Sequence, residues 1–298
     1  MSYAVELNRV TKSYGNVTAV NEISFSMEPD KIYGLLGRNG AGKTTIMHML
    51  TAQLFATDGE LKVFGEAPYE NNNVLSRICF VKESQKYPDN FRVVDVLEVA
   101  ESFFVNWDRD YAYSLIGDFR LPLKRKVKKL SRGMLSAVGI VVGLASRAPL
   151  TIFDEPYLGL DAVARSLFYD RLIEDYAANP RTIVLSTHLI DEVSRILEHI
   201  IVIDNGRLII DEDADALRGR AFNVVGPAAK VDSFTAGKET IHREPFGGFV
   251  SATVMGNLYG TDRKQAEELG LEIAPVSLQQ LIVHLTKGAS GHKEEGLQ

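Results

Sequence analysis

The sequence predicts an α/β protein: a mostly parallel sheet covered on its faces by helices, with an antiparallel β subdomain, a helical subdomain and a small C-terminal α+β domain. Three observations predict it. Short apolar runs, Ile32–Leu36, Leu150–Phe153 and Thr182–Ser186, read as buried strands and alternate with helical stretches. A glycine-rich loop follows the first run directly and opens a helix. After about Leu217 the texture changes to short strands separated by glycine and proline.

Bulk properties exclude several functions. The 298 residues suffice for one large domain or two. A hydrophobic fraction of 45% and a charged fraction of 24% are ordinary for a soluble protein with a sizeable core. A formal net charge of −6 points away from nucleic acid and disfavours general adhesion to anionic lipid. The single cysteine, Cys79, lies in the apolar run Ile78–Val81; it fits a reducing cytosol and reads as a small buried hydrophobe. Val138–Leu150 contains Arg147 and falls short of the roughly 20 residues a membrane span needs. Met1–Val10 mixes Glu6 and Arg9 among apolar residues, unlike a signal peptide. Any membrane role is expected to run through a partner.

Along the chain, Val17–Met27 alternates in part, as an exposed antiparallel strand does, and Pro29-Asp30 turns the chain. Ile32–Leu36 is the first buried strand, and the helix beyond the glycine loop is expected over about 43–52. Tyr69–Val81 reads as a loop followed by a strand. From Pro88 to Ala145 the pattern is mainly helical, with breaks at Pro122 and around Ser131, which places a helical subdomain at about 84–148. Asp161–Tyr176 and Ile190–Leu197 are expected helices. Ile200–Asp211 reads as a hairpin, with Asn205-Gly206 supplying two positive-φ turn positions. The first domain is expected to span 1–216 and the small α+β domain 217–287, with strands at Phe222–Val225 and Phe249–Met255 and a last helix at Leu278–Leu285. The polar stretch 288–298 is expected to be disordered.

Gly37-Arg38-Asn39-Gly40-Ala41-Gly42-Lys43-Thr44, followed by Thr45, matches the phosphate-binding loop G-x-x-x-x-G-K-[ST]. Its glycines let backbone N–H groups turn inward around phosphate, and the helix N-terminus behind it favours anions. Lys43 is expected on the β- and γ-phosphates and the Thr44 hydroxyl on Mg²⁺. By itself the loop leaves kinases, GTPases and many ATPases open. Leu150–Glu155 is an apolar strand ending in two acids, at the sheet edge where the loop also lies. There Asp154 can hold Mg²⁺ and Glu155 can orient and deprotonate a water. Leu130-Ser131-Arg132-Gly133-Met134 starts a helical stretch, Ser131 falling 23 residues before Asp154. Ser131 as an N-cap is the plain reading of that segment.

At this point the chain resembles the ATP-binding cassette (ABC) ATPases, over about Tyr3 to Asp213. Their signature, Leu-Ser-Gly-Gly-Gln, sits between the phosphate loop and the acidic strand; here Arg132 replaces the first glycine and Met134 the glutamine, while Ser131 and Gly133 are kept. Leu158-Gly159-Leu160-Asp161 is similar to the family's D-loop, with Asp161 at the dimer contact. Ser186-Thr187-His188 is similar to the switch-histidine segment, 33 residues beyond Glu155, with His188 reaching the γ-phosphate. Tyr14 stands where the family stacks an aromatic on adenine. The family's glutamine-loop position falls on Glu83, with Gln85 as the alternative.

The resemblance implies an ABC-type P-loop NTPase that binds and hydrolyses ATP with Mg²⁺. It implies a composite site, in which Ser131, Arg132 and Gly133 of a second ABC ATPase chain face the phosphate loop of the first. It further implies transmembrane permease subunits as partners, a peripheral place on the cytoplasmic face of the membrane, and export, since Pro275-Val276-Ser277-Leu278-Gln279 is similar to the C-terminal extension of drug, antibiotic and peptide exporter ATPases. An importer ATPase, or a non-transport ABC protein acting on ribosomes or DNA, are the alternatives. The basic run Lys124–Lys129 reads as a solvated approach to the signature helix, with an acidic or lipid contact as the sharper option.

Overall fold

The structure is a computed structural model and describes residues 3–83, 85–257 and 261–291. In chain order its elements are β1 (Val5–Tyr14), β2 (Val17–Met27), β3 (Ile32–Leu36), α1 (Lys43–Leu50), β4 (Asp58–Val63), α2 (Asn72–Leu75), β5 (Ile78–Val81), α3 (Val93–Phe103), α4 (Arg109–Asp118), α5 (Arg132–Ser146), β6 (Leu150–Asp154), α6 (Ala162–Ala178), β7 (Thr182–Thr187), α7 (Ile190–Val193), β8 (His199–Asp204) and β9 (Arg207–Asp213). They continue as α8 (Ala214–Leu217), β10 (Ala221–Pro227), α9 (Ala228–Thr235), β11 (Thr240–Phe246), β12 (Phe249–Met255), α10 (Thr261–Glu268), β13 (Glu272–Pro275) and α11 (Leu278–Gly291). The chain forms two compact units. The first runs to His188 and resumes at Ile196–Asp211; the second comprises Leu189–Arg195 and the chain from Glu212 onward.

The first unit is built around a six-stranded sheet of order β5-β6-β7-β3-β8-β9. Every residue of β3, β6 and β7 is buried, as strands covered on both faces must be, and β5 to β8 pair in parallel. The parallel register sets Leu36 beside Thr187 and Asp154 beside Ser186, so three strands end together at one edge. Asn205 and Gly206, with φ of 46° and 72°, close the expected hairpin between β8 and β9. β2, β1 and β4 form a separate three-stranded antiparallel sheet. Its inner residues, among them Val5, Leu7, Ile23 and Phe25, share one apolar cluster with Ile46, Met47 and Leu50 of α1.

The helical part holds α3, α4 and α5. Ser131 accepts from the Met134 N–H (3.2 Å) and caps α5, whose apolar residues from Ala137 to Ala145 are almost all buried. Two glycines let this helix press on the sheet. A Cβ on Gly139 would meet Val81 Cγ1 at 3.0 Å, and one on Gly143 would meet the Phe153 ring at 2.4 Å. Cys79 is buried and unpaired, and burial pushes its thiol up to about 11.

In the second unit β10, β11, β12 and β13 form an antiparallel sheet of order β11-β12-β10-β13. With α9 after β10 and α10 after β12, this is the split βαβ arrangement of ferredoxin-like domains. Phe222, Val224, Val250 and Val254 pack against Val231, Phe234 and Leu271. His284 of α11 stacks on His242 of β11 with ring centroids 4.0 Å apart.

The structure differs from the sequence reading in several boundaries. The division falls after Asp211 rather than after 216, and Leu189–Arg195 joins the second unit. The helix expected over Ile190–Leu197 is one turn, Ile190–Val193. The last helix runs to Gly291, so 288–291 are helical where disorder was expected, and 292–298 lie outside the described residues. β11, β13, α9 and α10 were not anticipated.

The packing of α5 on β6 generates a stability prediction. Gly143→Val is expected to lower the unfolding free energy by about 2 kcal/mol, because the Phe153 ring is buried and cannot yield. Gly117→Ala, in α4 with nothing within 4 Å of its Cβ, is expected to stabilise by up to about 1 kcal/mol. Urea denaturation of both variants checks the contrast; a neutral Gly143→Val would contradict the close helix–strand contact.

Candidate functional site

The glycine loop closes around its own lysine. Gly37 has φ +148°, and a Cβ there would meet Ile203 O at 2.1 Å; Gly42, the N-cap of α1, has φ +111° with Ala19 O at 2.6 Å from its would-be Cβ. Only glycine lets the backbone pass both points. Lys43 is buried and donates from Nζ to Gly37 O (2.7 Å) and Arg38 O (3.2 Å). Burial lowers its pKa, opposed by Glu155 and Asp154. A cavity of about 380 Å³ opens over the loop, lined by Asn39 to Thr45, Ala19, Glu83, Asp154 and Glu155. Arg38 is exposed and stands outside that lining.

The acids at the end of β6 face this loop. Thr44 Oγ1 donates to Asp154 Oδ2 at 3.1 Å. Glu155 takes φ +49°, a left-handed conformation costly for a side chain with a Cβ, and its N–H donates to Ser186 O (3.0 Å). That twist carries the carboxylate from the strand end toward β7, where Oε2 lies 2.9 Å from His188 Nδ1. Burial raises the Glu155 pKa, against the opposing pull of His188 and Lys43. Tyr157, which sequence reasoning missed, hydrogen-bonds to both Glu155 and His188.

Most of the other expected residues lie apart from the loop cavity. Glu83 lines it, whereas Gln85 lines neighbouring hollows only. Glu83 Oε1 is 2.7 Å from Arg132 Nη2, so two of the positions that depart from the family pattern form an ion pair. Ser131 and Arg132 are exposed at the start of α5 and do not reach the loop of their own chain's cavity. Gly133 has a constraint inside its own chain: a Cβ would meet Gly159 O at 2.3 Å. Asp161 caps α6, Oδ1 accepting from Ala164 N–H at 2.8 Å. Tyr14 is 47% exposed at the end of β1, with Lys12 Nζ 5.1 Å from its ring centre. Lys124, Arg125, Lys126, Lys128 and Lys129 are all exposed, as a solvated run would be.

Residues 20–158 match the ABC transporter family, a span that holds the loop, Ser131, Asp154 and Glu155. The bacitracin transport ATP-binding protein BcrA of Enterococcus faecalis is 33% identical over 74% of this chain and 72% of that one. The chain belongs to the ABC transporter family. Nod factor export ATP-binding protein I of Paraburkholderia xenovorans is 34% identical over 72% of each chain. A dimeric ATP-binding cassette in a post-hydrolysis state with ADP and Pi superposes with a TM-score of 0.62 at 22% identity, over 70% of this chain and 98% of that one, which shows the shared fold. This protein is an ABC transporter ATPase subunit, with ATP as its substrate.

For this ABC ATPase the lining of the cavity separates the two glutamine-loop candidates. Glu83→Ala is expected to lower Mg-dependent ATP hydrolysis by about tenfold or more, the usual cost of a lost metal-site carboxylate. Gln85→Ala is expected to hydrolyse ATP at a near wild-type rate. Steady-state phosphate release checks both, and the reverse pattern would transfer the role to Gln85.

Proposed function

We propose that this chain is the ATP-hydrolysing motor of an exporter, working as a dimer on transmembrane permease subunits at the cytoplasmic face of the membrane. The observation that carries the reading is the convergence on one cavity of a phosphate loop with its buried Lys43, the Thr44–Asp154 pair and Glu155 held beside His188. The export of Nod factor by one relative and the transport of bacitracin by another support the direction. Among the described residues no helix is long and apolar enough to cross a membrane. An apolar groove of about 470 Å³ between the sheet and the helical part, with Val99 and Phe103 exposed beside it, supports docking of a permease segment there.

The chemistry follows from the side chains. Loop N–H groups and Lys43 bind the β- and γ-phosphates, Lys43 exchanging its carbonyl partners for phosphate oxygens. Asp154, Thr44 and Glu83 bring hard oxygen donors to the cavity lining, a donor type that suits Mg²⁺. That ion would neutralise charge on the phosphates as the bond to the leaving group breaks. Glu155 takes the proton of the attacking water, and its raised pKa strengthens it as a base. His188 faces the γ-phosphate, and Tyr14 offers an open ring to adenine. Ser131 and Gly133 of a second copy complete each site, since Ser131 lines no part of its own chain's cavity. Asp161, at the cap of α6, lies on the contact between copies.

Two experiments test this. Glu155→Gln is expected to bind ATP, to lose hydrolysis by roughly 10²–10⁴-fold, and to accumulate as an ATP-bound dimer in size-exclusion chromatography; near wild-type turnover would remove Glu155 as the base. For the shared site, Ser131→Asp keeps an N-cap oxygen and puts a negative charge toward phosphate. It is a cleaner probe than any change at Gly133, whose contact with Gly159 would be broken in every chain. Ser131→Asp and Lys43→Ala chains are each expected to be inactive, and mixing them is expected to restore part of the activity through one composite site. Full activity of Ser131→Asp alone would exclude sharing.

A further inference from the structure

Tyr157 is only 3% exposed, yet its hydroxyl lies among four polar groups of the hydrolytic centre. Thr187 Oγ1 donates to it at 3.0 Å and the His188 backbone N–H at 3.2 Å. Two donors occupy both lone pairs of a phenol oxygen, which leaves it its own proton to give. It donates that proton to Glu155 Oε2. His188 Nδ1 stands 3.0 Å from the same hydroxyl and 2.9 Å from Glu155 Oε2. With the hydroxyl saturated, Nδ1 serves as a second donor to Oε2. One oxygen of the carboxylate is therefore held from two sides. Among the described residues no protein hydrogen bond reaches Glu155 Oε1.

We propose that Tyr157 is a positioning residue for ATP hydrolysis: its hydroxyl clamps Glu155 Oε2, together with His188, so that Oε1 is presented to the attacking water. The ring is the anchor of this clamp. It packs in the interior with its edge toward His188, ring centroids 5.6 Å apart at 66°. The hydroxyl is tied to the end of β7 by Thr187 and His188, so the carboxylate at the end of β6 is fixed against a neighbouring strand. Glu155 needs such a partner. It starts from a left-handed backbone at φ +49°, and a glutamate side chain has three torsions to settle before its carboxylate has one orientation. A base whose orientation is set in advance gives up less freedom on reaching the transition state. Tyr157 does not itself line the cavity over the phosphate loop and meets that lining through Glu155, so its contribution runs through Glu155 and not through ATP binding.

The inference rests on Glu155 as the base, and the experiment keeps the two apart. Tyr157→Phe in the full chain preserves the buried ring and removes the hydroxyl. Its kcat for Mg-ATP is expected to fall about tenfold or more, as loss of a hydrogen bond to a charged acceptor implies, with KM for ATP and the unfolding midpoint unchanged. A loss of packing alone would move the unfolding midpoint and KM along with kcat. The second arm is a double-mutant cycle followed with radiolabelled ATP. In a Glu155→Gln background the Tyr157→Phe change is expected to alter the residual rate by less than about twofold, because the group it positions is already gone. An equal proportional loss in both backgrounds would overturn the clamp, and so would a wild-type kcat for Tyr157→Phe. If Glu155→Gln is itself near wild type, the base assignment fails first; if it is inactive and Tyr157→Phe is not, only the clamp fails.

Discussion

The parallel register of β3, β6 and β7 is the constraint on which the site depends. Leu36 pairs with Thr187 and Asp154 with Ser186, and β7 lies between β6 and β3, so the phosphate loop, the acidic pair and His188 leave the sheet at one edge from three consecutive strands. Strands about 4.8 Å apart let the first residues beyond the neighbouring β6 and β7 meet, as Glu155 and His188 do, while Thr44 reaches Asp154 from the first turn of α1. The register in turn rests on complete burial of the three strands. A one-step slip would change which residue stands last at the edge and separate the acids from the loop. Burial by α5 on one side is close enough that Gly143 tolerates no Cβ against Phe153. The packing of a helix remote from phosphate thus helps keep Asp154 in place.

Charge is distributed around this edge with near balance. Glu83, Asp154 and Glu155 line one cavity, which gathers three carboxylates beside the phosphate loop. Lys43 and Arg132 supply the compensating cations from two directions, Lys43 from within the loop and Arg132 from the start of α5. Their roles differ physically. Lys43 is buried, so its field is poorly screened and it pulls the Glu155 pKa down against desolvation. Arg132 and Glu83 are both largely exposed, so their ion pair contributes little to stability and is easily exchanged for other partners. A weak, exposed pair is suited to a loop that, in the proposed dimer, meets a nucleotide on one side and a second chain on the other.

The parts of the site that were legible in the sequence are those encoded locally. The glycines at Gly37 and Gly42 mark positive-φ positions beside other backbone, and Asp154 and Glu155 end an apolar run, so both were visible in short windows. The Glu83–Arg132 pair and the Tyr157 clamp were not, because each joins residues whose proximity only the folded sheet creates. Nothing in the motif spacing singled out Tyr157 between Glu155 and Leu158. In the second unit, β11 (Thr240–Phe246) escaped because it is an edge strand: five of its seven residues are exposed, so it lacks an apolar alternation, and Pro245 spoils the pattern further. α10 escaped for a related reason, being almost wholly polar with Ala266 as its buried contact to the core. α7 was overextended because Arg195 and Leu197 continue a helical spacing that the chain abandons after Val193 to enter β8.

The segment between Glu155 and α6 joins these features mechanically. Gly159, at φ +89°, brings its carbonyl against the backbone of Gly133, and Leu158 O accepts from Ser136 Oγ at 2.7 Å. The loop Leu158–Asp161 and the first turn of α5 are therefore in backbone contact within one chain, with no Cβ at the glycine contact to absorb a displacement. Tyr157 lies at the other end of the same short segment, bound to the carboxylate of Glu155 and to the end of β7. Glycine at 133 is thus required by the fold of a single chain, whatever a second chain places against it. A shift of Glu155 has a short covalent and packed route to Ser131: through Tyr157 to Gly159, and across the glycine contact into α5. Because both glycines lack a Cβ, that route has little slack, and the end of α5 that carries Ser131 cannot move far from the D-loop without breaking the contact between them.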